Sequence, residues 1–303
     1  MPTSPRPKGM SIRPAIVGLL LAPTVFVGTF LLVTRDDGAE QVAQTGATEP
    51  GVAHVHGLGI DPADGLLRVA THYGTYVIPD DGPAERVGAS YQDTMGFTVA
   101  GPDRFYGSGH PDVAGIRRGE PGLLGLIEST DSGVTWESVS LSGEVDFHGL
   151  ATAHDQIYGW DSTSGRFLVS PDGETWDTRS TLDLFSFAVD PSDADHVVGA
   201  SPDGVLDSTD GGRTWQAVDA PDLVVLSWHE TSGLWGVTPG STTDDGGDDG
   251  TDWRETGSLP GAPQALLAAD DVLYAAAQED EVTGIYRSED DGRTWQLRYR
   301  DGG

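Results

Sequence analysis

Three short patterns carry the side chains best suited to chemistry: His54-Val55-His56-Gly57, Asp93-Thr94-Met95-Gly96 and Asp146-Phe147-His148-Gly149. Two further imidazoles are expected at the same end of the fold. His72 follows the run Leu67–Thr71, and His110 heads a Gly/Pro-rich stretch between Gly107 and Gly125. Five of the eight histidines would then converge in one sector with Met95, Asp93 and Asp146. Imidazole, thioether and carboxylate donors together suit a transition metal such as copper or zinc better than calcium. No local ligand motif such as His-Glu-x-x-His is present, so three roles stay open. The first is a metal site on His54, His56, His72, His110 and His148. The second is a small-ligand pocket that also draws on Met95, Arg117 and Arg118. The third is a hydrogen-bonded polar network lining a channel. Asp93 and Asp146 are the only carboxylates at equivalent positions, which makes them the candidate acid/base pair if the chemistry is glycoside hydrolysis.

The elements that must position these residues are announced by a repeated octet. Ser208-Thr209-Asp210-Gly211-Gly212-Arg213-Thr214-Trp215 recurs in full at Ser129–Trp136 and Ser288–Trp295, with one residue deleted at Ser170–Trp176, and in degraded form at Gly246–Trp253. The tryptophans Trp136, Trp176, Trp215, Trp253 and Trp295 are spaced by 40, 39, 38 and 42 residues. A fixed period near forty marks a repeat architecture. Within each octet the Asp carboxylate and Ser or Thr hydroxyl are expected to bond to turn amides, with Gly at positive φ, and Trp to open the next strand.

Taking His56, Met95, His148, Ser186, Val225 and Ala265 as equivalent gives six units, each with room for four short strands. This predicts an all-β, six-bladed β-propeller of four-stranded blades over residues 53–300. One step is 53 residues where the others are 38 to 40, so the second unit carries an insertion within Gly107–Gly125. Long loops on rigid scaffolds concentrate function.

The octet resembles the Asp-box (BNR) repeat of sialidases, sortilin-type receptors and related bacterial propellers. The resemblance implies a structural role for Asp131, Trp136, Asp172, Trp176, Asp210, Trp215, Asp248, Trp253, Asp290 and Trp295. It implies three functional classes: a ligand-binding or assembly module, an exo-acting glycosidase of the sialidase-like class, and a protein-interaction platform. Sialidases of this class use an arginine triad, a Tyr–Glu nucleophile pair and an Asp acid/base. Their Arg-Ile-Pro signature is missing here; Ile116-Arg117-Arg118 is not that motif, and Tyr73, Tyr91 and Glu120 are the remaining candidates for such a pair.

With 48 Asp plus Glu against 17 Lys plus Arg, the net charge is −31, and Lys8 is the only lysine. Nucleic acid is thereby excluded as an expected partner, since phosphate binding needs a basic footprint. There is no cysteine, hence no disulfide or thiolate site. Residues 14–34 open with twenty apolar or small residues, long enough to span a bilayer as a helix. Arg6, Lys8 and Arg13 precede it, so 1–13 is expected to be a cytoplasmic basic segment and 14–34 a signal-anchor. A cleaved signal peptide is the rival reading. Residues 35–52 read as a tether, and the propeller is expected outside the cytoplasm, facing a small ligand, a glycan or a protein.

Overall fold

Short runs of β-branched and aromatic residues, cut by Gly-rich turns, pair with their neighbours in sequence, and the result is six four-stranded antiparallel sheets. The computed structural model describes residues 51–80 and 82–300. Each sheet is one blade. The inner strands are Val55–Ile60, Asp93–Gly101, Phe147–Ala153, Ser186–Val189, Val225–His229 and Ala262–Ala269. Each lies beside the next, and the sixth lies against the first, which closes the ring.

Every blade is one continuous segment, so closure rests on side chains. Val55 donates its N–H to Gln264 Oε1 (3.1 Å), the Thr283 hydroxyl donates to the Ala53 carbonyl, and Arg298 Nη2 reaches the Asp80 carbonyl (3.0 Å). The apolar side chains are buried between blades. Val55, Leu58 and Tyr76 of blade one pack with Ala276 and Ile285 of blade six, and Tyr158 and Phe167 of blade three with Leu184 and Val197 of blade four.

The octets are turns on the face opposite the inner-strand starts. Ser208 Oγ donates to Asp210 Oδ1 (3.0 Å) and accepts from Gly212 N (2.9 Å), while Asp210 accepts from the Thr214 N–H (2.8 Å) and hydroxyl (2.7 Å). Those two Thr214 donors favour the charged form and draw the Asp210 carboxyl down to about 2. Asp131, Asp172 and Asp290 make the same clasp. The fifth turn differs from the expectation. Gly246 replaces the serine, and Asp249, instead of Asp248, accepts from the Thr251 N–H (3.1 Å) and hydroxyl (2.7 Å).

A serine on the preceding blade completes the better copies. Trp215 Nε1 donates to Ser180 Oγ (3.0 Å) and Gly212 O (3.1 Å), and Trp176 Nε1 to Ser140 Oγ (3.0 Å) and Gly173 O (3.1 Å). Ser180→Ala is expected to lower stability by about 1 kcal/mol, the net worth of a lost hydrogen bond. Urea unfolding followed by tryptophan fluorescence reads this as a lower midpoint at unchanged slope.

A second polar staple stands in blade four, where His196 lies between Asp190 Oδ2 (3.0 Å) and Asp207 Oδ1 (2.8 Å). Burial opposes its charge, but the hydrogen bonds to both carboxylates outweigh it and raise the imidazole above its ordinary value. A raised imidazole adds stability below its unfolded pKa and loses it as pH rises through the folded value. The Tm gap between wild type and His196→Gln is therefore expected to be widest in mild acid and to close in mild alkali.

The insertion of blade two is ordered. It forms helix α1 (Val113–Arg118), with Asp112 as N-cap accepting from Gly115 N (2.7 Å) and Gly119 as C-cap at φ 87°. Asp112 Oδ2 also accepts the Tyr91 N–H (3.1 Å), which pins the helix to the rim.

The expectations for 1–13, 14–34 and most of 35–52 lie outside the described residues. Among the described residues, no helix is long and apolar enough to cross a membrane.

Candidate metal centre at one mouth of the channel

Inner strands start at one face of the ring and second strands return to it. His54, His56, Asp93, Met95, Asp146 and His148 therefore stand at strand starts, while His72 and His110 end or follow the returning strands. All belong to the face opposite the octet turns.

A bulge at each strand start aims these side chains. Register breaks fall at His56, Met95, His148 and Gln264. In blades four and five the N–H groups of Phe185 and Val224 bond to carbonyls of residues already paired with Ser186 and Val225. The six matched positions are thus His56, Met95, His148, Phe185, Val224 and Gln264. Hydrophobic spacing points one residue later in blades four, five and six, because a bulge adds an unpaired residue that such spacing does not register. Gln264 was missed for this reason. Its signal was the small residue and leucine that follow, Ala265-Leu266, matching Gly57-Leu58 and Gly149-Leu150.

The histidines separate into two clusters on this mouth. In the first, single ligand atoms of His54, His56 and His72 all lie within 4.8 Å of one another. Ring centroids are 4.8, 5.2 and 4.5 Å apart for the 54–56, 54–72 and 56–72 pairs. His72 Nδ1 is 2.8 Å from Asp93 Oδ1 and 3.2 Å from His56 Nε2. Gln264 Nε2 donates to His54 Nδ1 (2.9 Å), its Oε1 being taken by the Val55 N–H.

Electrostatics keeps most of this cluster neutral. Burial, then the neighbouring imidazoles of His72 and His54, pushes His56 down to about 3, and burial with His72 lowers His54 as well. His72 moves the other way, raised by its hydrogen bond to Asp93. Two imidazoles that resist protonation beside one oriented by a carboxylate form a set of nitrogen lone pairs suited to a cation. A carboxylate accepting from His72 Nδ1 leaves Nε2 as that ring's donor atom. A cation taken at His54 Nδ1 would displace the Gln264 amide.

The second cluster belongs to blades two and three. Asp146 Oδ2 is 3.0 Å from His148 Nε2, 3.5 Å from His110 Nε2 and 3.3 Å from the Ser162 hydroxyl, while His110 Nδ1 bonds to the Gly122 carbonyl (2.8 Å). Burial works against the Asp146 charge, but the His148 hydrogen bond and both imidazoles hold it below the usual carboxylate range. A carboxyl held ionised is unsuited to general-acid work. His56 and His148 both line the central channel, a cavity of about 730 Å³. Among the described residues His110 and His148 do not close into a three-ligand group with Asp146, so the five histidines fall into a cluster of three and a carboxylate bracketed by two imidazoles.

Met95 is half-buried at the bulge of blade two, between the two clusters in strand order. Arg117 and Arg118 are exposed on α1, where Arg118 pairs with Glu120 (2.8 Å). Neither guanidinium contacts a histidine among the described residues.

No family model matches the chain, and no curated protein matches it. Solved structures do. The GH74 xyloglucanase of Xanthomonas campestris superposes at a TM-score of 0.54 with 17% identity, over 82% of this chain and 45% of that one. A nidogen/laminin complex gives a TM-score of 0.55 with 13% identity, over 73% of this chain and 88% of that one. YCF48 bound to D1 peptide gives a TM-score of 0.50 with 14% identity, over 82% of each chain. The chain spans less than half the length of the xyloglucanase. At these identities the likeness shows the β-propeller fold alone.

Proposed function

We propose that this propeller is a metal-binding module that takes a copper or zinc ion on His54, His56 and His72. The observation that carries this reading is the convergence of three imidazoles, with ligand atoms within 4.8 Å, at the mouth of a channel. Asp93 orients one of them, as carboxylates orient metal-bound histidines elsewhere. Three nitrogen donors without a thiolate suit copper or zinc, and a site with three protein ligands keeps a position open for a further ligand. Asp93 and Asp146 are both committed to imidazoles, which supports binding over glycoside hydrolysis.

The repeat supports membership of the Asp-box class, and the charge pattern around 14–34 supports an anchor that places the propeller outside the cytoplasm. The test of the metal reading is isothermal titration of the full chain with Zn²⁺ and Cu²⁺. One tight equivalent is expected, lost when the triad is replaced. Weak binding by many equivalents, equal in both proteins, would refute it.

A further inference from the structure

The insertion of blade two roofs a second cavity, of about 300 Å³, that has no part in the metal centre. Its walls are Trp136, Ile127 and Leu124, with the hydroxyls of Ser90, Ser138 and Ser142 among them. Asp112, Arg118 and Glu120 from the insertion stand at its edge, with Gln92 beside them.

The tryptophan in this cavity differs from its equivalents. In blades three and four the indole N–H is held by a serine of the preceding blade and a glycine carbonyl of its own turn. The outer strand preceding Trp136 is only Glu85–Val87, followed by Gly88, and offers no hydroxyl at that level. Nor can it accept one at Gly88, where an added Cβ would meet the Val134 carbonyl at 2.3 Å. Trp136 Nε1 therefore has no partner among the described residues. The N–H groups of Trp253 and Trp295 also lack partners but are sealed from solvent, whereas that of Trp136 is not. The ring itself is fixed, its Cζ3 lying 3.0 Å from where a Cβ on Gly107 would stand.

The polar rim is also set in advance. Arg118 holds Glu120 Oε1 with Nε (3.0 Å) and Nη2 (2.8 Å), and Asp112 is fixed by the N–H groups of Gly115 and Tyr91. Glu120 folds over Gly115, where any Cβ would meet its Oε2.

We propose that this groove binds a neutral saccharide. An indole with an open N–H gives a flat apolar platform with a donor at its edge, the amphipathic surface that a sugar ring presents in mirror. The hydroxyls of Ser138 and Ser142 and the planar carboxylate and guanidinium groups of the rim match vicinal hydroxyls in both donor and acceptor sense. The volume is at the lower end of ligand sites, which suits a small ligand. Charge selects the class: two carboxylates against one guanidinium at the rim, on a chain of net charge −31, disfavour an acidic sugar.

The test labels the full chain with 5-fluorotryptophan and follows it by ¹⁹F NMR, the Trp136 resonance being assigned by its loss in Trp136→Phe. Cellobiose, xylobiose and N,N′-diacetylchitobiose are titrated in turn, with 3′-sialyllactose and a neutral Ala-Ser pentapeptide as comparisons. A saturable shift of the Trp136 resonance with at least one neutral disaccharide is expected, with affinity about tenfold weaker in Arg118→Ala and unchanged in His56→Ala. Arg118 is exposed, so its removal leaves the fold intact. No shift with any neutral disaccharide, or an equal shift with sialyllactose or the pentapeptide, overturns the proposal.

Discussion

Replacing His56 with alanine is expected to weaken the affinity for Zn²⁺ or Cu²⁺ by about a hundredfold or more, because it removes the ligand at the centre of the triad. His56 is the ring closest to both others by geometry, with Nε2 3.2 Å from His72 Nδ1 and a ring centroid 4.8 Å from that of His54. Asp93→Asn is a gentler probe of the same site. It keeps the shape of the side chain but removes the charge that fixes His72, and second-sphere changes of this kind cost about 10- to 100-fold in metal affinity. His148→Ala separates the clusters. Its imidazole is tied to Asp146 and lies outside the triad, so its loss should leave the stoichiometry at one. If His148→Ala reduced affinity as much as His56→Ala, the two clusters would be a single site.

The largest effect on stability is expected at Asp61. This carboxylate is fully buried and joins two blades. Oδ1 accepts from the N–H groups of Ala63 and Asp103 (both 3.0 Å), while Oδ2 accepts from the Ser132 hydroxyl (2.9 Å) and Arg68 Nη2 (3.1 Å). Asp61→Ala would leave the Arg68 guanidinium, 4% exposed, with only Asp64 as its carboxylate partner. Removing one member of a buried ion pair costs about 3–5 kcal/mol. Burial alone would raise the Asp61 carboxyl, but the two backbone N–H groups, the Ser132 hydroxyl and Arg68 together lower it. A lowered carboxyl adds stability above its unfolded value of about 3.9 and loses it as pH falls through the folded value. Thermal unfolding of Asp61→Ala should therefore show a deficit at neutral pH that shrinks in acid. A deficit constant down to pH 2 would mean that packing, not charge, is what Asp61 contributes.

What could be read from the chain was whatever repeats. The octet clasps, the blade number and the placing of His54, His56 and His72 at one mouth follow from a period near forty and from strands that alternate direction. What escaped was whatever breaks the repeat. A bulge shifts a strand by one residue with no change in hydrophobic pattern, so that pattern points to Ser186, Val225 and Ala265 where the folded strands align Phe185, Val224 and Gln264. The same local competition moved the fifth clasp from Asp248 to Asp249, where Thr251 supplies both donors. The insertion looked like a Gly/Pro-rich loop because six helical residues between an Asp cap and a Gly cap give too few turns for a periodic signal. The division of five histidines into two clusters depends on ring orientation, which spacing along the chain does not encode.

A surface with this many carboxylates binds cations weakly everywhere, so the decisive measurement must report ligand atoms and not occupancy alone. Electron paramagnetic resonance of the full chain with one equivalent of Cu²⁺ does this through nitrogen superhyperfine structure. The account predicts a single species with three imidazole nitrogens in the wild type, reduced to two in His54→Ala. An oxygen-dominated spectrum, identical in the wild type and in a variant lacking His54, His56 and His72, would contradict it.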